Sequence, residues 1–492
     1  MKFRWVKRLL IALVTVLVGL SIPVVLELHA RSQARADLEK IIAELDRTDP
    51  RWRLEDIEAD RQPVPTEKNS ADTVIAAHRL LPKNWDSKIA GDFVSRGIYV
   101  KLQDLPPPII LRKDQADQLA AELKPLERAL EIARKLKDQP SGRYKIAYSQ
   151  DFLSTLVPDL GKAQEVAKLL VLDIAQLVHR QEMEKAWHSN LALLNACRSI
   201  GDEPLLISTI LRLENDAITV GSLERALGQG EFQAGHLEEF QKALNDELAV
   251  PHCVIGLRGE RGGTDYFLSN IENGKVSLLQ TLDNIGKKNP RSHTTSWEPF
   301  NEFFAFSMVI RSHATLLDLQ TRVIEALKLP PNERQKALKE VDLAFEEISP
   351  KDKSQILTRL LFSAILKLPE QEKGVHSRLA CAVAGLGAER FRLKKKRWPE
   401  SLEEIVQAGC LKKVPIDQFD GNPLRFRRTK DGLVIYSIGR EGNDDGKALD
   451  DLRNINDAVR VEFRLWDPAQ RRQPPLPAKP KDHIKAENPD DR

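Results

Sequence analysis

Apolar positions along most of this chain recur every three or four residues. Between Lys113 and Lys367 that spacing is almost continuous, and Leu206, Ile210, Leu213, Ala217, Val220, Leu223 and Leu227 fall on one face of a single helix. Glycine, proline and small polar residues interrupt it at 139–142, 201–204, 228–230, 259–263, 287–299 and 330–331, which predicts helix ends there. Short connections between Ala163 and Leu248 suit antiparallel helix pairs. The consensus residues of tetratricopeptide, ankyrin and leucine-rich repeats are missing, so a single irregular helical domain fits equally well.

Two regions depart from this rhythm. Leu9 to Leu26 is an unbroken uncharged run of about 18 residues, preceded by Lys2, Arg4, Lys7 and Arg8 and followed by a mixed segment. A run of that length crosses a bilayer as a helix, and the basic flank orients the N-terminus toward the cytoplasm, with the bulk of the chain extracytoplasmic. A cleaved signal peptide is the alternative, offered by Pro23 and Ala34-Arg35-Ala36, but the apolar run is longer than such peptides carry. Leu38, Ile41, Ile42 and Leu45 then continue a stalk helix toward the break at Asp49-Pro50.

The second departure is near the C-terminus. A helix over about 375–393 carries Leu379, Val383, Leu386 and Leu393 on one face, with Gly385 and Gly387 allowing a neighbouring backbone close. Ser401 followed by Glu404 forms a capping box that opens a short helix ending at Gly409. Leu424 and Phe426 alternate with arginines, Asp431-Gly432 turns the chain, and 433–438 returns as a strand. Val459, Val461, Phe463 and Leu465 alternate with polar residues, predicting a third strand with one buried face. Six prolines among charges after Asp467 predict an extended or disordered tail.

The resulting organisation is mainly α. A basic flank and transmembrane helix (1–28) lead to a stalk and linker (29–112), an α-helical body (113–370), an α+β module with a small antiparallel sheet (375–466) and a tail (467–492). With 41% hydrophobic and 30% charged residues the chain is able to bury a sizeable core. Its 75 basic and 72 acidic residues leave a formal charge of only +3, which argues against a nucleic-acid partner. Cys197, Cys253, Cys381 and Cys410 form no C-x-x-C pair; they are either isolated buried thiols or up to two disulfides of undetermined pairing.

The order of motifs from Arg397 onward, R-W-P-x-S-L-x-E, D-x-F-x-G-N-P-L-R-F, a hairpin, then S-I-G-R-E-G-N-D-D-G, resembles the globular end of the major pseudopilins of type II secretion. The resemblance covers about 375–466 and implies a helix packed on a small antiparallel sheet. It also implies a calcium loop, which here places Glu441 and one of Asp444 or Asp445 near the cation, with Asp450 or Asp451 closing it; Asn443 adds a further oxygen donor to the same cluster. The chain departs from the family at Asp417-Gln418-Phe419-Asp420-Gly421 and at Glu441. The prepilin leader is absent before Leu9, and a pilus subunit assembling through its N-terminal helix is not expected. A solvated acidic turn is the plain alternative to a calcium site.

Enzyme motifs are missing: there is no G-x-S-x-G, H-E-x-x-H, phosphate loop or dinucleotide fingerprint. Glu184 and His188, one turn apart with His179 upstream, are a candidate metal pair, though helix surfaces carry such pairs by chance. His252-Cys253 reads as a structural loop rather than a thiol nucleophile, and the basic run from Arg390 to Arg397 as a solvated helix end or a contact for anionic polymers. The expected function is therefore a membrane-anchored, extracytoplasmic scaffold with a protein partner. Its alternatives are a component of a secretion or pilus-like machine and a hydrolase whose carboxylates meet only in the fold.

Overall fold

The computed structural model describes residues 2–91, 97–278, 298–349, 351–440, 442 and 461–475. It is mainly helical, with a small three-stranded antiparallel sheet near the C-terminus. Helix α1 (Lys2–Thr48) carries the apolar run and continues through Pro23, although proline cannot donate to the helical ladder. Among the described residues, no helix is long and apolar enough to cross a membrane.

The second half of α1 is docked rather than standing free as a stalk. Ala34, Leu38 and Leu45 bury against Ile310, Ala314 and Leu317. Asp49 just beyond α1 pairs with Arg258 at 2.8 Å and with the fully buried Arg261. Short helices α2 (Leu54–Asp60), α3 (Ser70–His78), α4 (Trp85–Ala90), α5 (Ile98–Gln103), α6 (Lys113–Leu123) and α7 (Glu127–Ala133) then lead into the long ones.

Four long helices follow in sequence: α8 (Pro158–His179), α9 (Met183–Arg198), α10 (Leu206–Gln229) and α11 (Ala234–Leu248). The predicted face of α10 supplies Val220, Leu223 and Leu227, all fully buried, each contributing about 1.5–3 kcal/mol of transfer free energy. Next come α12 (His252–Glu272), α13 (Glu298–Leu327), α14 (Pro331–Glu346), α15 (Ile356–Ile365), α16 (Leu368–Lys395) and α17 (Leu402–Gln407).

The glycines at 259–263, expected to break the helix, lie in the middle of α12. They serve close packing instead. A Cβ on Gly259 would stand 2.0 Å from the Pro204 carbonyl oxygen, and one on Gly263 2.0 Å from the Phe152 ring. Glycine costs a helix about 1 kcal/mol relative to alanine, so local propensity loses here to contacts that no other residue permits.

Strands β1 (Arg425–Thr429), β2 (Gly432–Tyr436) and β3 (Glu462–Trp466) pair in that order, with Ile435 opposite Phe426 on one side and Phe463 on the other. The Phe463 ring lies against Gly385 of α16, where a Cβ would come within 2.4 Å. Leu433, Ile435, Phe463 and Leu465 belong to the same hydrophobic cluster as α8 to α11 and α16, so the sheet shares its core with the helical body.

The sequence predicts a third strand with one wet face, whereas every residue of β3 is buried, including Glu462 and Arg464. The outer edge of β3 meets α10, and Glu224 accepts the Arg464 backbone N–H at 2.8 Å. An open strand edge is thereby closed by a helix carboxyl. Beyond Trp466 the chain runs along the body: Gln473 donates its N–H to the Pro108 carbonyl at 2.7 Å and accepts from Ile110 at 3.0 Å.

Candidate functional site

The face of α10 not used against α8 and α9 borders a cleft of about 840 Å³. Its apolar wall is built by Leu102, Val171, Ile174, Ile210, Ala217 and Val375. Part of the stripe that the sequence assigns to the core thus lines this space instead. The end of α5, the middle of α8 and the start of α16 form its other sides, and Val461 and Glu462 bring the sheet to its rim.

Charged groups converge on this wall. Glu224 is only 3% exposed, and its carboxyl is held up to about 7 by burial, against the opposing influence of Arg378 and the Arg464 N–H. The Arg378 guanidinium stands 3.9 Å from it, too far for a hydrogen bond. Glu462 is 9% exposed; its Oε1 accepts from Arg464 Nε at 2.7 Å, and its Oε2 has no hydrogen-bond partner among the described residues. Arg225 donates to the carbonyls of Leu105 and Ile109 at 3.1 and 3.4 Å, and burial lowers its guanidinium to about 10.

A second polar cluster is sealed between α10, α11 and the start of α12. Ligand atoms of Asp216, Glu247 and His252 lie within 4.8 Å of one another. Glu247 Oε1 accepts from Arg212 Nε at 2.9 Å and from His252 Nε2 at 2.9 Å, while its Oε2 accepts from Arg198 at 2.8 Å. Burial would raise Glu247, but Arg212 and His252 hold it well below the usual carboxylate range. Burial and the neighbouring Glu247 push Asp216 well above that range, and neither of its oxygens has a hydrogen-bond partner among the described residues. The guanidinium cations of Arg198 and Arg212 already match or exceed the negative charge of the two carboxyls. A divalent cation would leave net positive charge in a space closed to water, so the arrangement is a structural network rather than a metal centre.

The residues singled out by sequence fare differently. Glu441, Asn443, Asp444, Asp445, Asp450 and Asp451, the proposed calcium set, all lie outside the described residues. Glu184 stands 3.9 Å from His188 and 3.6 Å from His236, whose ring stacks on Trp187 at 5.0 Å. His179, the upstream residue, is absent from that group. His252 and Cys253 open α12 rather than a loop; burial pushes the Cys253 thiol well up, as expected of an inert core cysteine. All four cysteines are free and buried.

The basic run at the end of α16 is largely spent on internal pairs. Arg390 reaches Glu238 at 2.9 Å, and Arg392 reaches Glu231 at 2.6 Å and Glu389 at 2.8 Å. The D-x-F-x-G motif organises its own loop. Fully buried Asp417 accepts from Phe419 N, Ile438 N, Ser437 Oγ and Arg425 Nη1 at 2.7–3.0 Å.

Glu224, Arg225, Arg378 and Glu462 were not selected by sequence. Glu224 follows a core leucine and Glu462 alternates with core residues as a solvent-facing strand position would, so no local pattern marks either one. No protein-family model matches the chain, and no curated protein or solved structure matches it.

Proposed function

We propose that the chain is a membrane-anchored, extracytoplasmic binding scaffold whose cleft between α8, α10, α16 and β3 takes a small ligand. The observation that carries the binding reading is the cleft itself, walled by Leu102, Val171, Ile174, Ile210, Ala217 and Val375, with the buried acid Glu224 among its lining residues. The cleft volume of about 840 Å³ falls in the range of small-molecule sites.

The anchor reading is supported by the uncharged run Leu9 to Leu26 and its basic flank. Ile22, Val25 and Leu26 are 54–62% exposed on α1, an apolar row that lipid would cover. Proline within the helix, as at Pro23, is tolerated in membrane spans. The likeness of residues 375–466 to pseudopilin modules adds a docking partner of that kind to the proposal.

Thermal-shift screening of a fragment set against the full chain and an Ala217→Trp variant tests the site. Ala217 lines the wall, so the larger side chain should fill the cleft. Fragments are expected to raise the melting temperature of the parent and not of the variant. Fragments acting equally on both, or none acting, would contradict the reading. A hydrolase is the second reading, favoured by one observation: Glu224 keeps its proton up to about 7, as a general acid near neutral pH requires.

A further inference from the structure

Helix α13 buries an ionisable ring where it meets α12 and α1. His313 is 1% exposed, and both of its ring nitrogens face carboxylates of α12: Nδ1 stands 2.8 Å from Glu272 and Nε2 3.1 Å from Asp265. A neutral imidazole has a single N–H and satisfies one of these acceptors; the doubly protonated ring donates to both. Arg35 of α1 reaches the same Glu272 at 3.0 Å, so a continuous line of charged contacts joins α13, α12 and the docked half of α1. The two carboxylates are matched by Arg35 and the ring only while the ring is charged. Arg53, just past α1, is paired with Asp46 at 2.7 Å and acts on Asp265 from further away. Arg31 is turned to Glu27, and Arg258 and Arg261 to Asp49. The turn at 353–355 meets α13 through Ser354 and Gln355, which bond to Ser312, Thr315 and Arg311.

We propose that His313 is a proton-operated latch for α1: charged, it ties Asp265 and Glu272 to α13 and completes the line that Arg35 continues into α1, and on giving its proton to solvent it turns a lone pair toward a carboxylate and loosens α1 from the body. The inference rests on the packing of α1, α12 and α13 and is independent of the cleft. Burial opposes the charge on the ring, but the bonds to Asp265 and Glu272 outweigh it and hold His313 above its ordinary 6.5. Folding therefore raises the proton affinity of the ring. The stabilisation is complete below pH 6.5 and is lost as pH rises through the folded value, so the latch is closed on the acid side and opens on the alkaline side.

Nitrogen NMR of the full chain in non-ionic detergent, labelled in its histidines, reads the ring directly, with His313→Gln identifying its signals. Both nitrogens are expected to carry protons at pH 6, with a titration midpoint above 6.5. Asp265→Asn is expected to lower that midpoint by about 1 pH unit or more, and Arg35→Gln, at a half-exposed side chain, to raise it, so the ring is tested in two further variants if His313→Gln does not fold. Nitroxides on Glu39→Cys of α1 and Asn273→Cys at the end of α12, both exposed, follow the docking, since the four native cysteines are buried. One narrow distance distribution is expected below the midpoint and a broader one above it, with the change displaced along the pH axis in Asp265→Asn and Arg35→Gln as the midpoint is. A ring that is neutral at pH 6 or still charged at pH 10 overturns the latch, and so does a distance distribution that stays the same while His313 titrates.

Discussion

Replacing Glu224 by glutamine gives the most quantitative test of the electrostatics around the cleft. In the folded chain this carboxyl is raised from an ordinary 4.5 to about 7, chiefly by burial. A group whose acid form is favoured by folding binds its proton more tightly in the native state. It therefore costs nothing below pH 4.5 and destabilises the fold progressively as pH rises toward and past 7. At about 1.4 kcal/mol per pH unit, the displacement corresponds to about 3 kcal/mol above pH 7. Glutamine keeps the shape and an oxygen for the Arg464 N–H at 2.8 Å, but it cannot ionise.

Urea unfolding of both proteins at pH 5, 6, 7 and 8 measures the difference directly, because all other titrating groups are common to the two. The variant should exceed the parent by about 1 kcal/mol or less near pH 5 and by about 3 kcal/mol at pH 8. A stability difference independent of pH, or a variant less stable at pH 8 than at pH 5 relative to the parent, would refute the reasoning.

Other perturbations separate the remaining parts of the account. Glu247→Gln removes the negative charge shared by Arg198, Arg212 and His252 and should cost about 3–5 kcal/mol, while Asp216→Asn, at a position where burial favours the uncharged form, should cost under about 1 kcal/mol in the same unfolding assay. Gly259→Ala places a Cβ against Pro204 and should destabilise by about 2 kcal/mol or more, whereas Gly161→Ala in α8, with nothing within 4 Å, should stabilise by about 0.5–1 kcal/mol. Labelling of intact cells with a membrane-impermeant amine reagent should modify lysines of the body before lysis; labelling only after lysis would remove the extracytoplasmic reading.

Much of the architecture is legible from local pattern. The helix face of α10 and the turn at Asp431-Gly432 follow from spacing and turn chemistry. The start of α17 follows from capping, since Ser401 Oγ accepts the Glu404 N–H at 3.3 Å. The Glu404 carboxylate, however, accepts from Glu400 N at 2.8 Å rather than from the cap residue itself. What was not legible depends on residues far apart in sequence. Gly259 and Gly263 of α12 stand where Pro204 and Phe152 leave no room for a Cβ, and no local rule carries that information.

The cleft was hidden for the same reason. Glu224 and Arg464 are separated by 240 residues, and each reads locally as an ordinary surface charge. Only the closing of the β3 edge by α10 turns Glu224 into a buried acid. The oxygen donors between 441 and 451 are neighbours in sequence, an arrangement that local pattern displays directly.

The central claim is that the cleft between α8, α10, α16 and β3 takes a small ligand. A crystal structure of the full chain with a fragment that raises its melting temperature tests it most directly. The account predicts the fragment seated against Ile174, Ile210 and Ala217. Fragments bound only elsewhere on the chain would contradict it.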